Sequence, residues 1–345
     1  MSFMVITVFL AIRYNYGLDY PSYLELFSRG ATSTSYRGDS EVLFYRMMHL
    51  FPHFYQFVIA YTVLIMGMLF LMVRKYCNEK YYAFFIIMFM LTPAMCLNLM
   101  SAMRSSMAAC VIWLGIYLFY LKQKRWILYM MIIVVASGFH LSALVFLLLP
   151  LLDILVNRVS GRGLLYVLVA CLVLSFIGTS FLYEWMFGST TVFGGYANTY
   201  EDLAQENKRT ILGVLNNSLM LFPAYYICQS KEAFLKQNRG LYVLAMTYLL
   251  IFMLNMDLQG RFTSYLCVFF ILSITMVAGG FPKGGSFEQH SVLSFNQKLV
   301  MLLPLMVNIA YNFYSFIISL SSGSYIWEEG NPLIYQTIFD APYLP

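Results

Sequence analysis

The chain has 345 residues, of which 61% are hydrophobic and only 11% charged, and its mean hydropathy is +0.71. So little polar surface cannot cover so much apolar surface in water, which excludes a soluble globular fold and makes lipid the solvent. The net charge of +5 comes from basic residues scattered in short segments between apolar runs, where membrane topology explains them better than a nucleic-acid partner does.

The apolar runs, such as 81–90, lack the two-residue alternation of a membrane β-barrel strand. The fold class is therefore all-α: a polytopic transmembrane helix bundle of about ten or eleven spans, in one integral membrane domain covering 1–345. In chain order the spans are expected at 2–12, 54–73, 81–97, 103–121, 126–138, 141–156, 163–182, 210–228, 240–256, 262–279 and 299–320. Residues 2–12 resemble the apolar stretch of a signal peptide but lack its positive start and small-residue cleavage site.

After the first span comes Arg13-Tyr14-Asn15-Tyr16-Gly17-Leu18-Asp19-Tyr20, followed by Pro21 and Tyr23. Gly17 permits a tight turn and Pro21 is expected to stop a helix, folding the segment back along the surface with Arg13 near Asp19. Further on, Glu41 and Asp39 precede an amphipathic stretch that ends at Phe51, and Glu41 reads either as a helix-start residue or as a functional carboxylate.

Arg104 opens a long apolar helix. Its guanidinium and the amides of the first turn together favour a diphosphate, although snorkelling to the interface is the plainer role. His140 lies between two short spans, as the tip of a hairpin or where two tilted helices meet. It is the side chain best suited to moving a proton near neutral pH, or else a hydrogen-bonded packing residue.

Arg209 opens the next span, with Asn216 and Asn217 about two turns deeper. Arg261 opens the one beginning Arg-Phe-Thr-Ser-Tyr-Leu. The tail 321–345 mixes aromatics, acids and prolines and suits an interface anchor or a sugar platform.

Alternating the loops between the two sides places 13 basic residues on one side, among them Arg74, Lys75, Lys122, Lys124, Arg125 and Lys231, and eight on the other. The positive-inside rule makes the first side cytoplasmic. The other side carries twelve of the sixteen acidic residues and the longest loops, 13–53 and 183–209. Arg13, Arg104, Arg209 and Arg261 lie at span ends on this outer side, where topology disfavours them, and as a set they point to a bound polyanion.

The cysteines Cys77, Cys96, Cys110, Cys171, Cys228 and Cys267 form no C-x-x-C and no cluster with histidine, so they read as packing residues. The motifs of nucleotide, zinc and serine-nucleophile sites are missing, and no metal or other cofactor is expected.

The ordered set RYNYGLDYPSYLELF, SEVLFYRMMHLF, MRSSMAACVIWLGIYLFYLKQKR, SGFHLSALVFLLLPLL and GRFTSYL resembles the EpsG family of Wzy-like polysaccharide polymerases. The resemblance implies an inner-membrane glycosyltransferase that joins oligosaccharide repeat units carried on undecaprenyl diphosphate, at the periplasmic or outer face, for O-antigen, capsule or exopolysaccharide. It points to Arg13, Asp19, Glu41, Arg104, His140 and Arg261 as the functional set. It also implies more hydrophobic sequence ahead of Arg13, so an N-terminal span is expected to be either missing or misassigned here.

The expected roles follow from the chemistry. His140, or one of Asp19 and Glu41, accepts the proton of the attacking hydroxyl, and Arg13, Arg104, Arg209 and Arg261 hold the diphosphate. The expected partners are the lipid-linked oligosaccharide, membrane lipid and other polysaccharide-assembly proteins. The rival readings are a flippase for the same lipid-linked unit, a glycan ligase, a membrane O-acyltransferase and a structural subunit.

Overall fold

The computed structural model describes residues 2–14, 16–17, 19–30, 41–121, 125–177, 211–254, 259–283, 286–288, 293–321 and 336–337. These are mostly helical, with two short antiparallel strand pairs and the turns between elements, so the chain is all-α as its composition requires. The expected loop 183–209 lies outside the described residues, as does the tail 321–345 except for Ser321 and Gln336–Thr337.

Among the described residues, four helical stretches are long and apolar enough to cross a membrane: Phe54–Tyr76, Met103–Tyr120, Leu141–Arg158 and Phe262–Gly279. The protein is therefore a polytopic membrane protein. The chain divides into two compact units, Met1–Leu151 with Phe313–Pro345, and Leu152–Asn312.

In the first unit, α1 (Ser2–Ala11) packs on α4 (Phe54–Tyr76), and the strand Arg13–Tyr14 after α1 pairs with Gln336–Thr337. Two short helices follow, α2 (Tyr20–Ser28) and α3 (Val42–Met48). Pro21 was expected to stop a helix and instead stands in the first turn of α2, where its missing N–H has no intrahelical partner to lose.

The expected span 81–97 is broken. α5 (Tyr82–Leu91) ends at Thr92, and α6 (Pro93–Ser101) starts at the proline, which drives the residue before it out of helical geometry. Next come α7 (Met103–Gly115), continued by a π-turn over Ile116–Tyr120, and α8 (Trp126–Ser137). The chain then reverses at 138–140 and runs as a 3₁₀ helix, Leu141–Leu148, into α9 (Leu149–Arg158).

Lipid offers apolar side chains no reward for meeting each other, so close packing and hydrogen bonds hold these helices together. Ser105, Ser106, Ala108 and Ala109 are buried on α7, small enough to bring α4 and α8 near. α4 buries Phe57, Val58, Tyr61 and Ile65, while Val63, Leu64 and Leu71 face outward on its other side. The reversal after α8 is fixed by the Tyr129 hydroxyl, which donates to the carbonyl of Phe146 at 3.0 Å.

In the second unit, α10 (Gly161–Ile177) packs against α12 (Leu221–Gln229) and α14 (Arg239–Leu254), and α14 packs against α15 (Gln259–Gly279). Between these, α11 (Ile211–Ser218) precedes α12, and α13 (Lys231–Gln237) follows it. The expected span 210–228 is thus two helices, because Pro223 has no N–H for the Leu219 carbonyl. The main chain tightens at the break, with Leu219 N–H donating to Asn216 and Met220 N–H to Asn217.

The Asn308 amide, on α16 (Phe295–Ser321), donates to the Asn216 carbonyl at 3.0 Å. Lys231 gives its ammonium to the carbonyls of Val156, Asn157 and Val159 where α9 ends, and Arg239 pairs with Asp153 at 2.9 Å.

Gly17 has φ +115°, and a Cβ there would stand 2.9 Å from the carbonyl oxygen of Met100. Gly17→Ala is expected to cost about 1–3 kcal/mol, read as a fall in thermal unfolding temperature in detergent. An unchanged midpoint would mean the turn does not need glycine.

Candidate functional site

Among the expected site residues, the first unit brings Glu41, Arg104 and His140 into contact. Each stands at the start of a helical segment: Glu41 immediately before α3, Arg104 second in α7, and His140 immediately before the 3₁₀ helix. None of the three side chains caps its own helix, although a residue before a helix commonly does. They turn to one another instead.

Glu41 is the hub. Its Oε2 accepts from Nη1 of Arg104 at 2.7 Å, and its Oε1 lies 2.5 Å from Nδ1 of His140. The carboxylate is 3% exposed and the imidazole 7%, while the Arg104 side chain keeps 28% of its surface open. The backbone holds the meeting in place. The N–H of Leu43, two residues after Glu41, donates to the carbonyl of Gly138 at 3.0 Å, tying the start of α3 to the turn that carries His140. Gly138 is needed there, since a Cβ would run into the Leu43 side chain at 2.6 Å.

Tyr23 supports Arg104 from below. Its hydroxyl oxygen accepts from the Arg104 main-chain N–H at 3.5 Å and from Nε at 3.4 Å, and its ring packs against Phe44. Burial, opposed by Arg104, pushes the phenol up to about 12, so Tyr23 is neutral at physiological pH. Tyr23 lies one helical turn beyond Asp19, whose main-chain N–H donates to Ser101 Oγ at 3.3 Å and whose charge reaches the Tyr23 hydroxyl.

Arg13 is 1% exposed and is placed by different elements. Its Nη1 donates to the Leu10 carbonyl at 2.6 Å and to Thr62 Oγ1 at 2.7 Å, and its guanidinium stands 5.7 Å from the centre of the Tyr61 ring. Arg261 is the third residue of α15 by its backbone. Its side chain, and all of Arg209, lie outside the described residues.

The charges of the hub balance in a simple way. Burial pushes the Glu41 carboxyl up, but the hydrogen bond and charge of His140, and then those of Arg104, outweigh burial and hold it below its ordinary value. An ionised Glu41 only accepts, so His140 donates from Nδ1, and the neutral imidazole then carries its acceptor lone pair on Nε2. Arg104 and Glu41 cancel, leaving the hub neutral until His140 takes a proton and positive afterwards.

Apolar spans and a buried, ion-paired polar centre at the starts of helical segments define a polytopic membrane protein with a candidate site inside it. The EpsG family profile matches residues 1–327, and the chain belongs to the EpsG family. Membership suggests a polysaccharide-polymerase-like role in exopolysaccharide biosynthesis. No curated protein and no solved structure matches the chain.

Two outcomes check the geometry. Because Glu41 holds its proton less tightly folded than unfolded, it stabilises the fold at all pH values above its unfolded range. That contribution is lost as pH falls through the lower, folded value. The midpoint of thermal unfolding should therefore drop below about pH 4 in the wild type and drop less in Glu41→Gln; parallel curves would remove Glu41 from the balance. Tyr23→Phe should cost about 1 kcal/mol of stability through the lost contacts to Arg104, read by the same melt, and an unchanged midpoint would show that Tyr23 does not brace the arginine.

Proposed function

We propose that this chain is a Wzy-like polymerase that joins undecaprenyl-diphosphate-linked oligosaccharide repeat units at the outer face of the bacterial cytoplasmic membrane, working beside other polysaccharide-assembly proteins. The observation that carries the reading is the buried carboxylate of Glu41 bridging Arg104 and His140. Family membership supports the substrate class, and the polar hub supports the chemistry.

In this reaction a hydroxyl oxygen of one lipid-linked unit attacks the anomeric carbon of another. The bond from that carbon to the diphosphate oxygen breaks, and its electron pair leaves with undecaprenyl diphosphate. His140 accepts the hydroxyl proton at Nε2 while Glu41 holds the ring by Nδ1, the arrangement that fixes tautomer and orientation in other histidine bases. The captured proton makes the hub positive as the leaving diphosphate becomes more negative, so charge forms in a compensating pair. Arg104, partly open to its surroundings, binds the diphosphate. Glu41 is too buried and too well paired to be the base, and its role is to position the other two. Arg13, Asp19, Arg209 and Arg261 belong to the proposed set as further diphosphate or proton groups.

The second reading is a flippase for the same lipid-linked unit. It is favoured by the proline-broken helices at 92–93 and 219–223 and by the buried amides of Asn216 and Asn308, since interrupted helices and intramembrane polar groups accompany transport.

The deciding experiment incubates purified protein in detergent with its own lipid-linked repeat unit, without nucleotide or metal, and resolves the products on a gel. A ladder of longer glycans is expected. Arg104→Ala and His140→Ala should each lower its rate by about a hundredfold or more with protein still folded. Unchanged substrate with folded wild type would sink the polymerase reading and move the case to transport. A full ladder from either variant would remove that residue's role.

A further inference from the structure

Tyr45 stands four residues after Glu41, the spacing that sets two side chains on one face of a helix. Its ring is half-buried and edge-on to Phe44, with centroids 5.9 Å apart. Its hydroxyl oxygen is buried, and among the described residues no acceptor takes its hydrogen. The charges of Arg104 and Glu41 both act on that hydroxyl, and Arg104 lies within reach of its oxygen as a donor.

A buried hydroxyl whose hydrogen has no acceptor is a cost that packing alone does not justify, since phenylalanine would fill the same space without it. The Tyr45 hydroxyl is a donor waiting for an acceptor beside the one partly open cation of the hub.

We infer that Tyr45 is a substrate contact that donates its hydroxyl hydrogen to an anionic oxygen of the diphosphate bound by Arg104. The inference rests on the polymerase reading above and deepens it. The contact strengthens as the anomeric bond breaks and its electron pair moves onto the diphosphate, so Tyr45 acts mainly on the transition state. No covalent bond of Tyr45 changes. Burial raises its pKa, with Arg104 opposing and Glu41 adding, so the group remains a protonated donor at working pH.

The test compares wild type with Tyr45→Phe, using undecaprenyl-diphosphate-linked repeat unit extracted from the cells that make this protein. Initial rates of glycan extension are measured against substrate concentration, and thermal unfolding is measured in the same detergent. The expected result is a kcat lower by about tenfold to a hundredfold with KM changed less than about threefold. The melting midpoint should be unchanged or higher, because the variant loses a buried hydroxyl whose hydrogen had no acceptor.

Wild-type kinetics in Tyr45→Phe would overturn the inference and leave the polymerase reading standing. Loss of activity together with a lower midpoint would also overturn it, by making the hydroxyl structural. Folded wild type that extends no glycan would overturn the polymerase reading itself, and this inference with it.

Discussion

One carboxylate organises the first unit. Glu41 is buried in a protein whose surroundings are apolar, and an isolated ionised carboxylate there would be prohibitively costly. It is tolerated because Arg104 and His140 arrive from two other segments, more than sixty and nearly one hundred residues away in sequence, and take one oxygen each. The start of α3, the first turn of α7 and the reversal after α8 are therefore bound to one point. The contacts that look incidental serve that meeting: Gly17 against Met100, Leu43 N–H on Gly138, Tyr23 under Arg104.

The second unit meets the same demand with less charge. Its buried polar groups are mainly spent on backbone. Lys231 occupies carbonyls that end α9, Asn308 occupies the carbonyl of Asn216 beside a proline break, and Ser273 and Thr275 bond back to the preceding turn of their own helix. Asp153, buried, pairs with the half-exposed Arg239. Each choice satisfies a group that water would satisfy in a soluble protein.

Much of this was legible in the sequence. Continuous apolar runs announce helices in lipid, and residues such as Glu41, Arg104 and His140 stand out because polar side chains are costly there. What the sequence could not tell was who meets whom. Nothing in the spacing of Glu41 and His140 shows that a hairpin turn brings one onto the other, since that depends on the Gly138 contact with α3. The proline breaks at Pro93 and Pro223 were readable in principle, but the apolar runs continue through them and hydropathy passes over a missing N–H. Pro21 misled in the opposite direction, because proline ends a helix from inside but starts one from its first turn. Tyr23 and Tyr45 were hidden by their abundance, as tyrosine is common at membrane interfaces. Their four-residue spacing from Asp19 and Glu41 was the one signal that set them apart.

The winding of the segment after His140 has a consequence for how this chain fits its bilayer. An α-helix of 18 residues rises about 27 Å, short of a hydrocarbon layer of about 30 Å. Leu141–Arg158 has 18 residues, and its first eight are wound as a 3₁₀ helix. At about 2 Å per residue in that part, the whole segment reaches about 31 Å. Tighter winding thus stretches a span that would otherwise be too short and carries His140 about 4 Å farther along the axis than an α-helix would. The buried imidazole is in this way moved along the axis by the pitch of the helix that follows it, with no added residue.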